Sequence, residues 1–158
     1  MLAYAYSINE YYDKKMNKKY FLLPLLFSIF SLLFLFPFNL FSLVFSLLFL
    51  TLTTFYSWPK IWLEGKPIIS TLTNGIGFTL LLILPFNSFQ KIIKYSSFIF
   101  LIFLLNIAAQ LIHEIVDYKK DKKINKVTTC VKFGIKNTFL SFKFLLLMII
   151  LISLSLFS

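Results

Sequence analysis

The sequence predicts an all-α protein, a polytopic bundle of transmembrane helices, on three observations. Of its 158 residues, 59% are hydrophobic and only 14% are charged. The mean hydropathy is +0.84. The apolar residues come in long blocks, as the ~30 Å hydrocarbon core of a bilayer demands. A soluble domain carries about 25% charged residues, and a chain of this size still exposes roughly a third of its unfolded surface. A soluble globular enzyme is therefore excluded, and so is a disordered chain.

Met1–Ile8 reads as a helical stub, about 12 Å long as helix. Five blocks could then cross a bilayer: Tyr20–Phe36, Leu40–Tyr56, Ile68–Phe86, Tyr95–Ile112 and Phe139–Phe157. The first two are separated by Pro37-Phe38-Asn39, which reads as a turn. Each of these arms has 17 residues, the short end of the spanning range, so a re-entrant pair over Tyr20–Tyr56 is the alternative. All five are apolar all round, which marks spans rather than surface helices. No cleavable signal peptide is expected, because the start lacks basic residues and a small-residue exit. The whole of 1–158 is expected to form a single transmembrane domain, five full spans plus the stub.

Charge gives the orientation. The 16 basic residues are all Lys, against six acids, for a formal net charge of +10. Nucleic-acid grooves favour Arg, and every Lys here borders an apolar block, so no nucleic-acid partner is expected. Five antiparallel spans put Met1–Lys19, Ser57–Pro67 and His113–Asn137 on one face, with all but three of the lysines. Lys91 and Lys94 fall on the other face, and Lys143 lies one turn inside the last span, from which it can snorkel back. The lysine-rich face is cytoplasmic by the positive-inside bias, which places the protein in the cell membrane. The lone Cys130 can form no internal disulfide and has no neighbour at metal-ligand spacing.

Glu10, Asp13, Glu64, Glu114, Asp117 and Asp121 all share the lysine-rich face. All but Glu64 fall into two matching groups. Asn9-Glu10-Tyr11-Tyr12-Asp13-Lys14-Lys15-Met16-Asn17-Lys18-Lys19 can be laid over His113-Glu114-Ile115-Val116-Asp117-Tyr118-Lys119-Lys120-Asp121-Lys122-Lys123. The acidic or amide positions recur at i, i+3 and i+7, one face of a helix. Facing rows of carboxylates repel one another, and divalent cations relieve that. Mg²⁺ takes one or two carboxylates and completes its shell with water and substrate phosphates. Two such rows suit a diphosphate clamp, with lysines to neutralise the remainder; the alternative is a pair of cytoplasmic loops with incidental ion pairs.

The first row resembles the N-D-x-x-D-x-x-x-D motif of the UbiA superfamily of intramembrane prenyltransferases. The second is similar to its D-x-x-x-D motif, with Asp117 and Asp121 in place. Lys122-Lys123 through Thr128-Thr129-Cys130-Val131-Lys132-Phe133-Gly134 resembles the family's K-x-x-x-T-x-x-V-x-x-G stretch, and Tyr56-Ser57-Trp58-Pro59 with Lys66-Pro67 and Asn74 resembles the loop after its fourth helix. The likeness covers nearly the whole chain, with the first metal motif at 9–17 and the second at 114–121. Glu10 and Asn17 stand where the family usually has Asp, and the basic Pro-rich stretch after the first motif is missing. The family's bundle has nine helices, so its first, eighth and ninth lack counterparts here. A fragment, one piece of a split enzyme with a second chain supplying the missing helices, or a decayed copy is expected.

The resemblance implies transfer of a polyprenyl group from its diphosphate to a lipid-soluble or interfacial acceptor in the membrane, with Mg²⁺ as cofactor. By the same likeness Asp13, Asp117 and Asp121 are catalytic, and Asn9, Glu10, Asp13, Asp117 and Asp121 hold metal. Asn9, Lys60, Lys66 and Lys122 would bind the substrate's phosphates. Asn106, with Gln110 one turn on, either lines the substrate chamber or bonds a neighbouring helix. A degenerate relative that binds prenyl diphosphate without turnover is the rival reading. A transporter would need mid-span ionisable residues along a pathway, and the spans carry no acid.

Overall fold

The computed structural model describes residues 1–14, 17–35 and 39–157. Among them the chain is helical without strands: α1 (Leu2–Asp13), α2 (Leu22–Leu35), α3 (Leu40–Ser57), α4 (Ile69–Ile83), α5 (Phe89–Lys94), α6 (Ser96–Val116), α7 (Tyr118–Lys123), α8 (Thr129–Phe133) and α9 (Ile135–Phe157). Leu40–Ser57, Ser96–Val116 and Ile135–Leu156 are long and apolar enough to cross a membrane. The other two expected spans are shorter. Leu22–Leu35 has 14 residues and Ile69–Ile83 has 15, about 21 and 22 Å of helix against a core of ~30 Å. The expected turn at Pro37-Phe38 lies outside the described residues. Asn39 follows it as the N-cap of α3, accepting from the Ser42 amide.

The described chain divides into two compact units. One comprises Met1–Leu63 and Leu80–Lys94. Its core is Tyr4, Ile8 and Leu50, with Met1, Tyr12, Phe27 and Leu32 packed on them. Tyr4 and Ile8 are one turn apart, so α1 buries a single face. The Tyr4 hydroxyl is hydrogen-bonded to Thr54 Oγ1, and Asn9 Nδ2 donates to Ser57 Oγ at 3.2 Å. Both pairs advance in the same direction, so α1 and α3 run parallel. Met1 N to Ser31 Oγ at 2.8 Å and the Tyr11–Phe21 ring contact at 5.3 Å run in opposite directions, which makes α1 and α2 antiparallel. Ser42 and Ser46 of α3 are fully buried, small residues one turn apart of the kind that let membrane helices approach.

The other unit comprises Glu64–Thr79 and Tyr95–Ser158. Leu104 and Ala108 of α6 pack against Ile149 of α9, flanked by Leu101, Phe103, Phe142, Leu145 and Ile152. Most of α9 faces outward, with Leu140, Phe144 and Leu154 largely exposed, as suits a lipid-facing helix. Gly75 of α4 meets α6 closely: a Cβ there would lie 2.8 Å from Ile107 Cγ1 and 3.2 Å from Phe103. α4 and α6 therefore pack closely at Gly75. Gly134, between α8 and α9, has φ 83 and ψ 157, a region open essentially to glycine.

These two glycines are needed for different reasons, and substitution should separate them. Gly134→Ala should lower stability by about 1–3 kcal/mol through backbone strain. Gly75→Ala should lower it by a similar ~1–3 kcal/mol through overpacking, and only the latter should cost less in the presence of Ile107→Ala, which removes the Cγ1 that the new Cβ would meet. Thermal unfolding in detergent of the three variants and the double variant reads this directly.

Candidate functional site

In the first unit the first motif sits at the end of α1. Asn9 and Asp13 are one turn apart and share a face. Asp13 lines a cavity of about 190 Å³ with Tyr12, Ser57, Pro59 and Trp62. The Asn9–Ser57 hydrogen bond holds the end of α3 against the same turn. The fold therefore brings the first motif together with the Ser57-Trp58-Pro59 segment, two stretches far apart in sequence. Glu10 points elsewhere: it is exposed and paired with Lys14. Asn17 lies beyond the end of α1, and its carbonyl accepts from the Tyr20 amide at 2.9 Å. The expected single helical face of Glu10, Asp13 and Asn17 is thus cut short where the helix stops. Lys15 lies outside the described residues.

In the second unit the second motif straddles the end of α6. Asp117 is the C-cap of α6 and the residue before α7, and the Asp121 amide donates to its carbonyl at 2.9 Å. Asp117 is exposed, whereas Asp121 is buried, 6% exposed. Burial pushes the Asp121 carboxyl above its ordinary value, Lys126 and Lys120 pull it down, and Asp117 and Glu114 push it up. Among the described residues neither aspartate side chain makes a hydrogen bond or ion pair.

Glu114 behaves differently although it belongs to the same row. It is 3% exposed. Its Oε1 accepts from Thr71 Oγ1 at 2.8 Å and its Oε2 from the Cys130 amide at 3.0 Å. Thr71 Oγ1 lies 2.8 Å from Thr129 Oγ1, which accepts from the Ile68 amide at 2.9 Å. Nearby, Lys126 Nζ is paired with Glu64, itself buried, and the Lys126 amide donates to the Asp121 carbonyl at 2.9 Å. Thr128 caps α8 by accepting from the Val131 amide.

Lys60 is exposed, with Nζ 5.7 Å from the Trp58 ring centroid, and Lys122 is exposed, 5.8 Å from that of Tyr118. Lys66 is exposed. Asn106 is half-buried in α6, eleven residues before Asp117 and so about 16 Å along the helix. It belongs to the apolar part of the unit rather than to the carboxylate end. His113 is exposed.

Glu64, Thr71, Lys126 and Thr129 were not singled out from the sequence. Their connections run between segments 43 to 62 residues apart, and no spacing rule reports such pairs. The only signal was indirect: acids and threonines placed where apolar blocks end.

Mg²⁺ can be tested against the donor set. Among the described residues no three of His, Cys, Asp and Glu converge on a metal position. Mg²⁺ needs only one or two carboxylates when substrate phosphates supply the rest. Asp117 and Asp121, one helical turn apart, meet that condition, and the desolvation of Asp121 is the kind a cation relieves.

Across the chain, the model of the UbiA prenyltransferase family matches residues 1–158. No curated protein and no solved structure is similar enough to match.

Removing Lys126 should show how far the second unit depends on it. Lys126→Ala leaves Glu64 buried without its ammonium partner and should cost about 1–3 kcal/mol, the scale of a hydrogen bond to a charged group. Adding Glu64→Gln should recover part of the loss, because the two side chains are coupled. Unfolding midpoints of the single and double variants check the coupling.

Proposed function

The chain belongs to the UbiA prenyltransferase family, and we propose that it moves a polyprenyl group from a polyprenyl diphosphate to a lipid-soluble or interfacial acceptor, with Mg²⁺ as cofactor. The observation that carries this reading is a division among the carboxylates. Glu10 is paired with Lys14, Glu64 with Lys126, and Glu114 is held by a hydroxyl and an amide. Asp117 and Asp121, the pair that resembles the family's second motif, have no such partner among the described residues. A desolvated carboxylate beside an exposed one suits a cation brought in with an anionic substrate.

Asp117 and Asp121 would hold one Mg²⁺, and Asn9 with Asp13 a second. When bound, the ions supply positive charge against the diphosphate. The chain's own groups do the rest. Lys60, Lys66 and Lys122, all exposed, would offset the charge left on the departing diphosphate. The allylic carbon–oxygen bond breaks, the electron pair leaves with the diphosphate, and a nucleophilic atom of the acceptor bonds to the allylic carbon and sheds its proton. The Phe- and Leu-rich helices house the prenyl tail and exclude water from the cation. Asn106, partway down α6, would lie beside the prenyl chain rather than the phosphates. In this reading the protein is multi-pass and the motif segments are cytoplasmic, on the side where the lysines gather.

Diphosphate release from geranylgeranyl diphosphate, in membranes carrying the chain, tests this. Release should require Mg²⁺ and should fall by about 10²-fold or more in Asp117→Ala and Asp121→Asn, the scale of removing a preorganised electrostatic contact. Release that persists in chelator, or in both variants, would sink the proposal. Binding of the diphosphate without release would instead favour a degenerate member of the family.

A further inference from the structure

We infer that Glu114 is a positioning residue for the Asp117–Asp121 pair, acting through hydrogen bonds rather than as a metal ligand; this rests on the reading of that pair just proposed. One oxygen of the Glu114 carboxylate takes the Thr71 hydroxyl at 2.8 Å and the other takes the Cys130 amide at 3.0 Å, and the residue is 3% exposed. Each oxygen already has a donor, and burial leaves almost none of the group open to a hydrated cation. Its position in the row is that of Glu10, but Glu10 is exposed and pairs with the lysine one turn on.

The consequence lies in which segments it joins. Thr71 is in the first turn of α4, Cys130 in the first turn of α8, and Glu114 in the last turn of α6. Thr71 extends the link to Thr129, and Thr129 to the Ile68 amide. Ile68 has φ 65, left-handed backbone that a β-branched residue adopts only under constraint. The start of α4 is thus held in a strained turn by this chain of bonds. Between Asp121 and Cys130 the backbone must turn back, through Asn125 at φ 56, and it carries Lys126 to Glu64 with its amide on the Asp121 carbonyl. Both ends of that return are therefore fixed: one by α7, the other by Glu114 at Cys130. Loosening the Cys130 end frees the stretch that carries Lys126, whose amide bonds the Asp121 carbonyl.

Why a carboxylate stands there also follows. An amide N–H at a helix start has no partner within the helix, and a carboxylate is the strongest acceptor a side chain offers. A glutamine could nonetheless preserve the connections. Its oxygen can accept from Cys130 and its amide can donate to Thr71 Oγ1, whose proton then turns to Thr129. A leucine of similar volume keeps none of them.

The experiment compares Glu114→Gln, Glu114→Leu, Thr71→Val and Thr71→Ser in the full chain. Glu114→Gln and Thr71→Ser should keep diphosphate release within about threefold, the low end of what one hydrogen bond is worth. Glu114→Leu should raise the Mg²⁺ concentration needed for half-maximal release by about 10–100-fold, the scale of losing a group that orients a metal ligand; Thr71→Val should move it the same way. Limited trypsin digestion gives an arm that needs no turnover: cleavage after Lys126 and Lys132 should quicken in Glu114→Leu and not in Glu114→Gln. Loss of release in Glu114→Gln with unchanged digestion would overturn the inference, since charge would then be what matters. Unchanged digestion and Mg²⁺ requirement in Glu114→Leu would overturn it as well. If the unaltered chain releases no diphosphate at all, the proposed function fails, while the digestion pattern alone still decides whether Glu114 holds the return.

Discussion

Every polar group carried on an apolar helix must find its partner inside the protein, because hydrocarbon supplies none. Most hydroxyls meet this requirement alone, Ser70 Oγ being buried without a partner among the described residues. Ser46, Thr53, Thr54 and Thr79 each donate to a carbonyl one turn earlier on their own helix. Ser42 instead reaches the Leu84 carbonyl at 2.6 Å and so ties α3 to the segment after α4. A carboxylate has no proton to give a carbonyl and needs donors. Donors are concentrated at helix starts, where amides lack intrahelical partners, and on lysines that reach the headgroup region. The placement of all six acids at helix ends and in connecting segments follows from that chemistry.

The same constraint explains how two similar stretches of sequence come to serve different ends. Glu10 and Glu114 hold equivalent places in rows of equal spacing. α1 ends soon after Glu10 and leaves it exposed, so Lys14 is its partner. Beyond Glu114 the chain turns back through Asn125 and lays the start of α8 against α6, so an amide and a hydroxyl become its donors. A glutamate that begins as one of a row is in this way withdrawn from the site and made part of its support.

The sequence made the class of fold legible because length and hydropathy of a block directly measure what a bilayer accepts. The apolar blocks at Leu40, Tyr95 and Phe139 became the three long helices with ends shifted by only a few residues. It was less informative where the hydropathy of a block exceeds the helix it forms. Tyr20–Phe36 is apolar throughout, yet its first residues belong to a 3₁₀ turn and the α-helix begins at Leu22. For the candidate site, spacing identified Asp13, Asp117 and Asp121, since a helical period is a local property. It could not tell which members of a row are buried. That depends on Thr71, Lys126 and Cys130 arriving from elsewhere in the chain, and on the positive φ of Asn125 and Gly134 that lets the backbone bring them there.

The result is a gradient of satisfaction along one short stretch. Glu114 is held by a hydroxyl and an amide, Asp121 is buried with only the field of nearby lysines to offset its charge, and Asp117 is open to solvent. A fully satisfied row would gain less from a cation, because each donor already offsets part of the charge that a metal would neutralise. A fully exposed row would hydrate well and gain little by exchanging water for Mg²⁺. Partial desolvation between these extremes leaves one carboxylate whose charge is poorly compensated by the protein and a neighbour free to move toward it. Such a pair gains most when an ion and an anionic substrate arrive together, since the substrate's phosphates complete the shell that the chain leaves open.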